Sequence, residues 1–156
     1  MSTPGISNST CMETEPTFET VYPNEENLEF MMVVNNFRKT LPRGSQYKIT
    51  SIDFVTNPYW QKKFENKKSE FREAKIPDVE IFAYHGTPPE NIKSICKSNL
   101  NRIKRTSQGV GYYFSEHPEF SLGYGSGLLM FKVLPGLVYV GPDKFGMHIG
   151  KDYSIT

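Results

Sequence analysis

Cysteine is almost missing from this chain: there are two in 156 residues, Cys11 in a polar stretch and Cys96 in an apolar helical pattern. That placement excludes a disulfide framework and points to a reducing compartment. Two cysteines and three histidines give no zinc-type spacing, so no metal is expected. Long hydrophobic runs are lacking too. None approaches the roughly 20 apolar residues that span a bilayer, and no apolar core of a secretory signal follows Met1. The expectation is an intracellular protein, nuclear or cytoplasmic, with no membrane partner. Charge of one sign is also lacking, with 18 Lys and Arg against 17 Asp and Glu for a net +1. A broad nucleic-acid face needs clustered positive charge, so no direct DNA binding is expected. The one local run, Lys62, Lys63, Lys67 and Lys68, reads as a solvated helix face.

Large apolar residues are scarce in residues 1–20, which are rich in Ser, Thr, Pro and Glu. Such a stretch cannot bury enough surface to offset its ordering entropy, so it is expected to be a disordered tail. Residues 21–156 then form one domain. Asn24 is the expected cap of a first helix, with Glu25 and Glu26 at its positive end. Phe30, Val33, Val34, Phe37 and Leu41 recur at helical spacing and make one apolar stripe. A strand is expected over 47–55. Asn57-Pro58 starts a second helix, with an N-cap followed by proline at the first helical position. Trp60, Phe64 and Phe71 are its buried stripe, and the single tryptophan reads as core.

A short buried strand over 80–84 ends at His85-Gly86. Thr87-Pro88-Pro89-Glu90 has the pattern of a capping box, and Ile92, Ile95, Cys96 and Leu100 mark the inner face of the helix that follows. A strand is expected over 112–115, then a short helix or turn opened by His117-Pro118, an apolar strand over 128–133 and another from Leu137. From Gly141 onward the pattern dissolves. Two helices with a strand between them, then mostly strands with one crossing helix, predict an α+β domain with a largely antiparallel sheet.

Taken singly, the chemistry-bearing residues are weak signals. A histidine at a strand end is usually structural. Gly109-x-Gly111 precedes a strand and does not link a strand to a helix, so the Rossmann fingerprint is not met. No nucleophile elbow is visible. Tyr113 and Tyr124 can be read as plain core aromatics, and Ser121 as a helix cap.

The combination resembles the catalytic domain of the poly(ADP-ribose) polymerase (PARP) family, and more closely its mono-ADP-ribosyltransferase branch. Tyr84-His85-Gly86-Thr87 is similar to the family's His-Gly-Ser/Thr strand. Asn91 and the pair Asn101-Arg102 fall at matching places. Gly109-Val110-Gly111-Tyr112-Tyr113-Phe114-Ser115 is similar to Gly-x-Gly-x-Tyr-Phe-Ala, and Ser121 and Tyr124 keep the spacing after it. Upstream, Asn57-Pro58 with Trp60 resembles the mono-transferase segment Val-x-Asn-Pro-x-Leu-Trp.

The resemblance implies the ADP-ribosyltransferase fold, a mostly antiparallel split sheet with flanking helices. It implies a transferase that uses NAD as co-substrate, moves one ADP-ribose to an acceptor protein (itself included) and releases nicotinamide. The reacting ribose carbon then gains oxocarbenium character, as in glycoside cleavage. It also implies His85 and Tyr113 as the central catalytic pair. Tyr124 would stack on nicotinamide opposite Tyr113, and the backbone of Gly86 with the hydroxyl of Ser121 would hold the carboxamide. His85, Thr87 and Asn91 would lie at the adenosine ribose, and Arg102 at the diphosphate or adenine.

One departure bears on activity. Polymerising members carry a glutamate on a late strand. None of the sixteen residues after Val140 is a glutamate, so polymer synthesis is not expected. Either 152–156 is a compressed closing strand, or the last strands are missing and a sheet edge is exposed. The alternative to a mono-transferase is an inactive module of the same fold that binds NAD, ADP-ribose or a protein partner.

Overall fold

A computed structural model describes residues 14–100, 111–140, 147–149 and 154–155 of the chain. Its centre is strand β3 (Ile81–Thr87), paired antiparallel with β4 (Gly127–Leu134) so that Tyr84 lies opposite Met130 and Gly86 opposite Leu128. The far edge of β4 takes β7 (Ser154–Ile155), and β5 (Val138–Val140) folds back on β6 (Met147–Ile149). A separate two-stranded ribbon joins β1 (Thr17–Val21) to β2 (Ile52–Thr56). Helices α1 (Leu28–Lys39), α2 (Pro58–Glu73), α3 (Ile92–Ser98) and α4 (Pro118–Leu122) pack around these strands. This is the α+β, largely antiparallel architecture that the patterning predicts.

The helix stripes bury in part: Val33 of α1 and Trp60 of α2 are only half-buried, and Leu41 lies beyond the end of α1. Phe30, Val34 and Phe37 of α1 are buried, and so are Phe64 and Phe71 of α2. Phe64, at 1% exposure, and Phe71 close on Leu134 of β4. Helix α2 ends with Lys75 at φ +58°, while the Ile76 N–H reaches back to the Phe71 carbonyl at 2.8 Å. That left-handed turn drops Ile76 onto the same cluster. Asn57 caps α2 as its sequence signal demands, accepting from the Tyr59 N–H at 3.2 Å with Pro58 in the first helical turn. Trp60 is half-buried, stacks edge-on against Tyr59 and lies under the Lys63 ammonium. Of the basic run on α2, Lys67 pairs with Glu70 and Lys68 with Glu80.

Several local expectations are corrected. Part of the stretch 1–20 expected to be a disordered tail, its last four residues from Thr17 to Thr20, belongs to strand β1. Its polar composition hides a two-residue alternation that puts Glu19, opposite Phe54, and Val21, opposite Ile52, on one face. The rest of that stretch before residue 14 lies outside the described residues. The strand expected over 47–55 pairs only from Ile52, because β1 is five residues long. Helix α1 is capped by Asn27, whose Oδ1 accepts from the Phe30 N–H at 3.0 Å, and not by Asn24. Asn24 instead accepts from the Glu26 N–H in a local turn. Strand β3 runs on past His85-Gly86 to Thr87, so Thr87 cannot cap the next helix, which begins through a 3₁₀ turn at Pro89–Asn91. At the C-terminal end, β6 and β7 are strands where the sequence pattern had dissolved.

Phe64→Ala should cost about 3–5 kcal/mol, since it opens a cavity under α2 that Leu134 and Phe71 cannot fill. Urea unfolding of the two proteins measures it. A loss below 1 kcal/mol, roughly the scale of a surface change, would contradict this assignment of the core.

Candidate functional site

The site forms where the chain beside β3 parts from it. Tyr84 exchanges both backbone hydrogen bonds with Ser115, at 2.7 and 3.0 Å. Continued antiparallel pairing from this bridge would set Gly86 opposite Tyr113. No regular ladder follows among the described residues: 111–115 is an extended segment, not the strand expected over 112–115. Strand peptide groups alternate sides, so Gly86, two residues beyond Tyr84, aims its N–H and C=O into this gap.

The pleat divides the candidate residues between two faces. His85 and Thr87 project to one face, where a cavity of about 310 Å³ is lined by His85, Thr87, Asn91, Tyr112 and Tyr113 and by Ser94, Ile95, Asn99 and Leu100 of the α3 region. The His85 ring is fixed there by a 2.9 Å hydrogen bond between its Nδ1 and the Tyr113 carbonyl, and by edge contact with Phe114. With that carbonyl as acceptor Nδ1 carries the proton, so Nε2 is the acceptor nitrogen of the neutral ring. The Asn91 Nδ2 donates to the Thr87 hydroxyl at 3.3 Å. Four predicted residues, His85, Thr87, Asn91 and Tyr113, therefore meet in one cleft.

Tyr84 and Gly86 belong to the opposite face, against which α1 and α4 pack. The Tyr84 hydroxyl donates to Asn36 of α1 at 2.8 Å, and its ring meets Phe37 edge-on. Burial pushes the Tyr84 phenol up to about 12. Ser121 of α4 is 3% exposed, and its hydroxyl donates to the Tyr84 carbonyl at 3.0 Å. A Cβ placed on Gly86 would stand 1.7 Å from the Ser121 carbonyl oxygen, so only glycine allows α4 this close. Tyr124 is 63% exposed, and its ring turns edge-on to Phe120.

The structure thus does not bring Ser121 and Tyr124 into the cleft with His85 and Tyr113. Arg102 and Gly109 lie outside the described residues. The cleft-lining Ser94, Ile95, Asn99, Leu100 and Tyr112 were not among the predicted site residues. The spacing of Asn91, Ser94 and Ile95 puts them on one side of a helix and was the available signal. The sequence pattern marks Ile95 and Leu100 only as the inner face of that helix.

An antiparallel strand pair, parted at a His-Gly-Thr end and backed by a short helix that bears the serine, is the split-sheet ADP-ribosyltransferase architecture. A family model described as the poly(ADP-ribose) polymerase catalytic domain matches residues 27–128. The chain belongs to this PARP catalytic-domain family. Among solved structures it is similar to the TASOR pseudo-PARP domain, with 19% sequence identity and a TM-score of 0.62. That likeness covers 76% of this chain and 64% of the other, so this chain spans under two thirds of its neighbour. No curated protein matches the chain. Among the described residues, no helix is long and apolar enough to cross a membrane, and no group of three His, Cys, Asp or Glu side chains could hold a metal ion.

Two predictions follow from the packed face. Gly86→Ala should destabilise the fold by about 3 kcal/mol, the upper end of overpacking costs, because the obstructing atom is backbone. A thermal melt checks this, and an unchanged melting temperature would mean that α4 does not sit on Gly86. Tyr84 has the second consequence. Its folded value is raised above the unfolded value near 10, so its contribution is intact below pH 10 and lost as pH climbs toward 12. The loss is on the order of 2–3 kcal/mol. Tyr84→Phe should flatten this alkaline decline in a series of urea melts.

Proposed function

We propose that this chain is a PARP-fold binding module that holds the ADP-ribose part of NAD, or ADP-ribose itself, without transferring it. The observation that carries this reading is the commitment of the Ser121 hydroxyl to the Tyr84 carbonyl, at 3.0 Å, in a residue that is almost fully buried. A carboxamide held at the Gly86 backbone would need that hydroxyl as its third contact and an aromatic ring as its cover. The hydroxyl is engaged, and the Tyr124 ring faces solvent beside Phe120. The ribose side is different. His85, Thr87 and Asn91 present a ring nitrogen, a hydroxyl and an amide to one cleft, a set suited to the hydroxyls of a sugar. The cleft residues therefore suit the adenosine and ribose end of NAD, while the nicotinamide end would require the Ser121 hydroxyl proton and the Tyr124 ring to reorient. The solved neighbour of the same fold is itself a pseudo-PARP domain, which agrees with this reading.

A second reading is a mono-ADP-ribosyltransferase acting on proteins. It is favoured by the Gly86 peptide groups aimed into the gap and by the 2.9 Å contact that joins His85 to the Tyr113 backbone. It requires Ser121 to turn from Tyr84, and Tyr124 to leave Phe120 and cover the gap.

The test combines calorimetric titration with ADP-ribose, thermal melts with nicotinamide, and incubation with labelled NAD read by intact mass. The module reading expects ADP-ribose binding that weakens about tenfold or more in His85→Ala, the scale of one lost buried hydrogen bond to a ligand. It expects no shift with nicotinamide and no mass gain. A nicotinamide-raised melting temperature with a gain of one ADP-ribose unit would replace it with the transferase. Binding of neither ligand would overturn both.

A further inference from the structure

The buried amide of Asn57 joins three stretches of chain that are far apart in sequence. Its Oδ1 accepts from the backbone N–H groups of Tyr59 and Trp60, at 3.2 and 3.5 Å, and from the Thr14 hydroxyl at 3.0 Å. Its Nδ2 donates to the backbone carbonyls of Thr14, Cys96 and Lys97, at 3.2, 3.1 and 3.3 Å. The Trp60 indole N–H adds a 2.7 Å bond to the Lys97 carbonyl. Glu15 forms an ion pair with Lys97. Asn57 itself is 9% exposed.

These bonds end on the last turn of α3. A helix leaves its final carbonyls without partners of its own, and seven residues are too few to be stable without outside contacts. Asn57 and Trp60 supply the missing donors. The same helix carries Ser94 and Ile95 into the cleft and leads directly to Asn99 and Leu100, two further lining residues. Asn99 sits at φ +62°, ψ −176°, a strained conformation for a residue with a side chain, held by its N–H to the Ile95 carbonyl at 2.7 Å. None of Thr14, Glu15, Asn57 or Trp60 lines the cleft.

We infer that Asn57 is a positioning residue for the cleft: docking of segment 14–21 onto it holds the last turn of α3, and release of that segment lowers ligand affinity. The ligand rests on the proposed reading of the cleft, while the mechanical link from segment 14–21 to α3 stands apart from it. When the strap lets go, the Asn57 amide loses two of its bonds and Lys97 its ion pair. The α3 wall is then formed in only a fraction of molecules, and apparent affinity falls by that fraction.

The test uses the full chain carrying Cys11→Ser, so that Cys96 is the single thiol. Its half-buried thiol, pushed up by burial, labels slowly while α3 is seated. Asn57→Asp keeps the oxygen that caps α2 but loses the donors to Thr14, Cys96 and Lys97. A second protein, Thr14→Val with Glu15→Lys, alters only exposed positions and leaves Asn57 in place. If the wall is formed in a tenth of Asn57→Asp molecules, ADP-ribose affinity falls about tenfold. Cys96 labelling accelerates, and affinity partly recovers at low pH as the new carboxyl protonates and donates again. The strap double variant shifts both readouts in the same direction. Unchanged ADP-ribose affinity in the strap variant would overturn the inference, whatever Asn57→Asp does. If the parent chain binds no ADP-ribose, the ligand reading fails, and Cys96 labelling decides the link: faster labelling in the strap variant sustains it, and an unchanged rate refutes it.

Discussion

Ser121 can lie on β3 only because residue 86 has no side chain. The backbone of α4 presses so closely on this strand that even a methyl group at Gly86 would overlap the Ser121 carbonyl. The contact has chemical consequences. On the packed face it brings the Ser121 hydroxyl onto the Tyr84 carbonyl, which already accepts from the Ser115 N–H. On the open face the neighbouring segment is bridged to β3 at Tyr84 and Ser115, with no regular ladder after it among the described residues, and the cleft opens beside His85 and Thr87. Tyr84 ties the arrangement to the first helix through its hydroxyl and Asn36. A buried polar chain of this kind has every member satisfied, which makes it specific about geometry as well as stabilising.

The cleft is made from two kinds of material. One wall is sheet, with His85 and Thr87 set by the pleat and held by cross-strand pairing to Leu129 and Gly127. The other is α3, a short helix whose end is fixed from outside by an asparagine and an indole. The sheet wall has the stiffness of the core behind it. The helical wall takes its end contacts from Asn57 and Trp60 at the start of α2, and Asn57 is bonded in turn to Thr14 of the amino-terminal segment. The same residue that starts α2 thereby reaches the end of the helix that walls the cleft.

Much of the site was legible in the chain. His85, Thr87, Asn91 and Tyr113 line one cleft, and the resemblance to the PARP catalytic domain is what singles them out in the sequence. Phe30, Val34 and Phe37 of α1 and Phe64 and Phe71 of α2 bury as their period requires, and Asn57-Pro58 marks a true helix start. Other features were not readable. Strand β1 is short and polar, and it exists because β2 supplies a partner. The cap moved from Asn24 to Asn27 because Asn24 is consumed by a turn of its own. Ile95 and Leu100 looked like core because apolar residues that line a cleft and those that fill an interior share one helical period.

The sequence by itself determined the family, the α+β class and the identity of the polar residues at the end of β3, since motifs and periodicity are local properties of the chain. Only the tertiary structure decided that Ser121 and Tyr124 stay apart from His85 and Tyr113. That separation depends on which face of the pleat each residue occupies and on how closely α4 can approach Gly86. Both are distances between segments some 35 residues apart in the chain, numbered 86 and 121. Spacing along a sequence carries no information about a side chain's rotation toward one acceptor or another. The Ser121 hydroxyl chose the Tyr84 carbonyl because the fold placed it 3.0 Å away.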